Sequence, residues 1–137
     1  MKELLVTNTF SPSMLKKDSN VNFQIISWDK AKEVLHGIVE NGKPYKDLKS
    51  ILSHQNTADF VSKRVNLLLP FNRENLEISE NTDLLCFVPQ IRLPEAKEFT
   101  DELIQNAPFK IFLIKIRIES KEQHTEPDWS QIEKNEL

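Results

Sequence analysis

Glycine is almost missing from this chain, with two residues in 137. A phosphate-cradling loop needs several glycines at fixed spacing so that backbone can approach the ligand. Nucleotide binding of the P-loop or Rossmann type is therefore excluded. Cysteine is scarcer still. Cys86 stands alone, cannot form an internal disulfide, and reads as a small core hydrophobe, so a cytoplasmic location is the default expectation. The three histidines, His36, His54 and His124, have no helical pairing and no cysteine cluster beside them. No metal site is expected, and no cofactor is called for. A nucleophile-elbow sequence is absent. No apolar run is long enough to span a bilayer, and the start MKELLVTNTF lacks the apolar stretch of a signal peptide, so no membrane partner is expected.

Acidic excess is unevenly placed. From Glu119 onward there are six acidic and two basic residues, whereas the rest of the chain holds 16 basic and 15 acidic ones. The body is near neutral, which argues against a long duplex-binding surface but leaves room for a small anion in a local basic pocket. Trp129 and Ile132 are the only large apolar side chains among the residues before the terminal leucine of this polar stretch. The expected organisation is one domain over 1–118 and an acidic, flexible tail over 119–137.

Hydrophobic patterning supplies the elements. Strands are predicted at Glu3–Thr7, at Val21–Ile25 by strict alternation, at Glu74–Ile78, at Leu84–Val88 and at Phe109–Ile118. A helix is predicted from Trp28 to Asn41, capped by Ser27 and stopped by Gly42, with Ala31, Val34, Leu35, Ile38 and Val39 on its inner face and His36 on its solvated side. Helical spacing resumes at Ala58, Phe60, Val61 and Val65, which puts His54 at or just before a helix start. Thr100 caps a last short helix through Gln105. The fold class is α/β (α+β), with about five strands and helices packed on them.

Leu84–Val88 is too short for a helix and bounded by Asp83 and Pro89, hence a strand buried on both faces. Directly after it come Gln90, Arg92 and Glu95, with Pro94 stiffening the segment. A guanidinium and a carboxylate fixed at a strand end are the makings of a site, although a solvated surface ion pair and a helix-capping histidine explain the same residues. With His54 and the small polar residues after the first strand, the set suits a reaction whose nucleophile comes from the substrate, such as RNA cleavage by its own 2′-hydroxyl. That chemistry needs a proton donor for the 5′-oxygen, cationic or N–H groups for the phosphorane, and groups that aim the 2′-oxygen. The helix start at Asn56 and Thr57 would favour a phosphate.

Four pieces in this order and spacing resemble the viral ring nucleases that act as type III anti-CRISPR proteins. They are Thr7-Asn8-Thr9-Phe10-Ser11 with Met14-Leu15, His54 with Thr57, Asn72-Arg73, and Arg92-Leu93-Pro94-Glu95. The resemblance implies a homodimer with a mixed sheet flanked by helices. It implies binding of cyclic tetra-adenylate across the two-fold axis, and metal-independent cleavage to linear di-adenylates ending in 2′,3′-cyclic phosphate. It makes His54 the general acid, Arg92 and Glu95 the pair that holds the phosphate and orients the attacking group, and Asn8 and Ser11 ligand-binding residues of the first loop; Phe10, Thr57 and Gln90, beside these pieces, are expected to bind ligand with them. Ser53 and Ala96 stand where the family often has glycine, and Gln90 is shifted from the family's glutamine. A module that sequesters the cyclic nucleotide without cutting it, and a structural dimer with no nucleotide ligand, remain as rival expectations.

Overall fold

The run Leu84–Val88 becomes the middle of the sheet. In the computed structural model, which describes residues 2–75, 78–79 and 81–118, it lies in strand β4 (Thr82–Pro89), buried from Thr82 through Phe87. On one side stand β1 (Glu3–Thr7) and the edge strand β3 (Asp47–Ser50). On the other stand β5 (Phe109–Ile118) and the edge strand β2 (Ser19–Ile26), giving the order β2-β5-β4-β1-β3. β4, β1 and β3 run parallel, while β5 is antiparallel to both β4 and β2. The three parallel strands therefore deliver their carboxyl ends, and the loops that follow, to one edge of the molecule.

The two-residue period of the strands sorts side chains onto two unlike faces. Leu4, Val6, Leu85, Phe87, Ile111 and Leu113 pack under helices α1 (Trp28–Asn41) and α2 (Gln55–Val65). Leu84, Cys86, Ile114 and Ile116 point the other way. Their cover among the described residues is Ile78 with Phe10, Met14 and Leu15, carried by the segment around a 3₁₀ turn at Pro12–Met14. Burial pushes the Cys86 thiol up to about 12, so it stays protonated and inert at neutral pH. A third, smaller cluster joins α3 (Asp101–Asn106) to α2 through Phe60, Leu93 and Ala107. There the Phe60 and Phe109 rings stack at 5.0 Å. Leu93 is thus a buried anchor for the segment that carries Arg92.

Both glycines serve one turn. Gly42 ends α1 at φ 64°, a left-handed conformation that a side chain resists. Gly37, inside the helix, lies so close to the returning chain that a Cβ there would sit 2.7 Å from the Lys43 carbonyl oxygen. This turn leads directly into Tyr45 and β3.

Several expectations are corrected. β3 was not predicted; its sequence DLKS has no apolar alternation, and it forms because β1 offers an unpaired edge, with Leu4 opposite Leu48. The strand predicted over 74–78 is not formed at Glu74, Asn75 or Ile78, while Leu76 and Glu77 lie outside the described residues. Val39 is exposed, just off the inner stripe of α1. Phe23 and Ile25 do alternate as predicted, but they are 54% and 70% exposed, because no helix among the described residues covers that face of the edge strand. His36 is no loose surface residue: its Nε2 lies 2.7 Å from the Val65 carbonyl oxygen, latching α1 to α2. The tail over 119–137 lies outside the described residues.

Candidate functional site

The carboxyl ends of parallel strands are where open α/β sheets place ligands, because the following loops splay apart there. Here the loop between β3 and α2 (51–54) and the segment after β4 (90–95) line opposite walls of a concavity of about 290 Å³. His54, Gln55, Asn56 and Thr57 form one wall; Pro89, Ile91, Arg92 and Leu93 form the other. His54 and Arg92, distant in sequence, share this pocket with Thr57.

His54 is the N-cap residue of α2, with extended backbone (φ −119°, ψ 123°) and no side-chain cap bond. Its carbonyl oxygen accepts from Ala58 N at 3.0 Å, which starts the helix, while its imidazole is exposed and makes no hydrogen bond among the described residues. The first turn of α2 contains no acidic residue. The positive end of its dipole and its unpaired N–H groups are therefore left to face the pocket.

Two side chains hold the linker before the histidine. Asn8, just after β1, accepts from both Ser53 N at 2.9 Å and Ser53 Oγ at 3.0 Å through its single Oδ1. From the other side Arg73 Nε donates to the Ser53 carbonyl at 3.2 Å, and Asn72 N donates to Leu52 O at 2.9 Å. The Arg92 wall is tied across the pocket by Asn56, whose Nδ2 donates to Leu93 O at 3.3 Å. The loop carrying His54 is thereby fixed at three points.

The remaining predicted residues lie outside this concavity. Glu95 caps a 3₁₀ turn at Ala96–Glu98, and its carboxylate lies 3.3 Å from Lys97 Nζ, not on Arg92. The side chain of Gln90 folds back onto the Val88 carbonyl at 3.1 Å. Phe10 sits on the helix-free face, edge-on to Phe23 with centroids 5.4 Å apart, and Ser11 caps the Pro12–Met14 turn. Asn8 reaches the site only through Ser53. Arg92 has no ion-pair or hydrogen-bond partner among the described residues, so its guanidinium is uncommitted.

The structure gives three further residues a defined part in the site. Asn56 bridges the walls, Arg73 braces the histidine linker, and Ile91, 41% exposed, offers apolar surface on the rim. Asn56 was expected there as part of the helix start and Arg73 as part of the Asn72-Arg73 piece, whereas Ile91 carried no signal. Among the described residues no three His, Cys, Asp or Glu side chains converge as a metal-binding group, and no helix is long and apolar enough to cross a membrane.

The pocket, with its strand-end frame, falls inside the span recognised by a known family. The STIV B116-like family profile matches residues 4–111. Among solved structures, B116 of Sulfolobus turreted icosahedral virus has the same fold, with a TM-score of 0.64 and 21% identity over 82% of this chain and 97% of the viral one. No curated protein matches the sequence.

Proposed function

The chain belongs to the STIV B116-like family, and from that membership together with the His54 pocket we propose that it is a metal-independent ring nuclease. Its substrate is cyclic tetra-adenylate, cut to linear di-adenylates ending in 2′,3′-cyclic phosphate, and the consequence is to switch off type III CRISPR signalling. The observation that carries this reading is the start of α2. A helix with neither a side-chain cap nor an acid in its first turn presents its N–H groups beside an exposed histidine and an uncommitted arginine. That combination suits a phosphodiester whose leaving oxygen needs a proton.

The steps follow from the positions. The scissile phosphate lies between Arg92 and the N–H groups at Asn56 and Thr57. The 2′-oxygen attacks the phosphorus, its proton passes to the Glu95 carboxylate, and the bond to the 5′-oxygen breaks as His54 protonates that oxygen. Arg92 and the helix start offset the growing negative charge of the phosphorane. Glu95 performs its part by exchanging Lys97 for the substrate hydroxyl, a small rearrangement for two exposed side chains. A second copy of the chain completes the site about a two-fold axis that matches the ring. The exposed Phe23 and Ile25, with Phe10 edge-on to Phe23, are the apolar surface such a partner would cover.

The pairing of Glu95 with Lys97 also favours a second reading, a binding module that sequesters the ring without cutting it. Product analysis after mixing the protein with tri-, tetra- and hexa-adenylate rings in EDTA decides between them. Linear di-adenylate from the tetramer supports the nuclease, whereas tight binding with intact ring recovered after long incubation supports the sponge. Neither binding nor cleavage of any ring would sink both.

A further inference from the structure

We propose a second ligand site, for a phosphate monoester of about nucleotide size, at the end of the sheet opposite His54. A concavity of about 830 Å³ opens there, at the amino ends of β1 and β4. It is separated from the first pocket by the length of β4, roughly 25 Å for eight strand residues.

Charge gives the first argument. Lys115 and Arg117 occupy alternate positions of β5, so they emerge on one face roughly 7 Å apart. Both are exposed, and neither has a carboxylate partner among the described residues. Two cations side by side repel, and an anion between them removes that cost. The acid that lines the cleft does not serve. Asp83 is 4% exposed and already accepts from Lys2 at 2.9 Å, the Tyr45 hydroxyl at 2.7 Å and Ile116 N at 3.1 Å. Burial, and then the Asp83 carboxylate, push the Tyr45 hydroxyl above its ordinary pKa, so this donor stays protonated and the cluster stays closed.

Shape gives the second. Along β5 the helices cover Ile111 and Leu113 but stop short of Lys115 and Arg117, leaving, among the described residues, sheet walled by Pro44 and Tyr45. Across the strand pair Asn22 lies opposite Lys115, and Asn20 opposite Arg117. The cleft therefore pairs a cationic row with an amide row. The guanidinium offers a forked donor and the ammonium a point charge, and both can converge on one phosphate. A monoester dianion matches two cations better than the single charge of a diester. The volume lies in the small-molecule range and exceeds what a bare phosphate fills, so the ester carries a polar group that the Asn22 amide meets. This site stands independently of the ring-nuclease reading.

Isothermal titration of the full chain with adenosine 5′-monophosphate, inorganic phosphate as the reference, tests it. The expected result is saturable binding of one monophosphate per chain, weakening with added salt. It should survive in the His54→Ala/Arg92→Ala double variant and weaken about tenfold or more in Lys115→Ala/Arg117→Ala, since both charged donors to the phosphate are lost. All four side chains are exposed or in the open pocket, and matching melting curves confirm the fold. Wild-type affinity in Lys115→Ala/Arg117→Ala would overturn the proposal, as would loss of binding in the His54→Ala/Arg92→Ala variant. So would the absence of saturable binding at millimolar ligand. Binding that appears only after the six acidic residues beyond Ile118 are neutralised would also overturn it, assigning the cleft to the chain's own carboxylates.

Discussion

The two long helices begin in opposite ways. α1 starts on Ser27, whose hydroxyl accepts from Lys30 N at 3.1 Å, and carries Asp29 in its first turn. α2 starts on His54, with neither a cap bond nor an acid. The short α3 follows the first pattern, with Thr100 accepting from Leu103 N at 3.0 Å and Asp101 and Glu102 behind it. Two helix starts are built for stability. The third gives that stability up, and it is the one that faces the pocket. Local rules broken at one place and kept elsewhere mark a site.

The largest expected effect is on chemistry at the uncapped start. His54→Ala should lower single-turnover cleavage of cyclic tetra-adenylate roughly 10²–10⁴-fold, the usual worth of a positioned general acid, while changing ring affinity little. A loss confined to affinity would move His54 from acid to binding group. Next comes the far end of α1. Gly37→Ala forces a Cβ against the Lys43 carbonyl and should cost about 1–3 kcal/mol in denaturant unfolding, an overpacking penalty confined to this turn and not touching the pocket. An unchanged midpoint would show that the turn after Gly42 gives way easily.

Smaller effects sharpen the contrast between the starts. Ser27→Ala should lose about 1 kcal/mol of stability and leave cleavage intact. The mirror experiment is His54→Asp, which supplies the missing cap and a favourable charge. It should raise stability by about 0.5–1 kcal/mol while abolishing cleavage. If His54→Asp melts lower than wild type, His54 is holding structure and the comparison between the helix starts fails. Smallest is Glu74, whose carboxyl the Lys49 ammonium and Asn72 hold below its ordinary range. A depressed carboxyl stabilises above its unfolded pKa and loses that contribution as pH falls through the folded value. Lys49→Ala should therefore flatten the acid limb of the stability profile only slightly, since the pair is exposed.

Much of this was legible in the chain. The bounds of α1, from its Ser27 cap to Gly42, followed from capping chemistry, and β1, β4 and β5 from apolar runs whose lengths suit strands and not helices. What failed has physical reasons. DLKS carries no pattern of its own, and β3 exists because β1 had an edge to fill. The alternation at Phe23 and Ile25 fixed which way those side chains point, but no local signal reveals whether anything covers them. At the site, the position of His54 could be read from where helical spacing resumes. Its meeting with Arg92 depends on β1 pairing in parallel with both β3 and β4, a long-range fact. Which partner each polar group chooses was not readable: Asn8 serves Ser53, and Glu95 takes Lys97 instead of Arg92.

The pairing of Gly37 with Gly42 has a cost at the other pole. With the chain's whole supply spent on one corner, the segments bearing His54 and Arg92 contain only residues with restricted backbones, and Pro89 and Pro94 stiffen them further. An arriving ring is met by walls already set, and adjustment falls to rotating side chains such as Glu95 and Lys97. Association should then carry little entropy penalty from ordering main chain, and affinity should depend on complementarity instead of on closure.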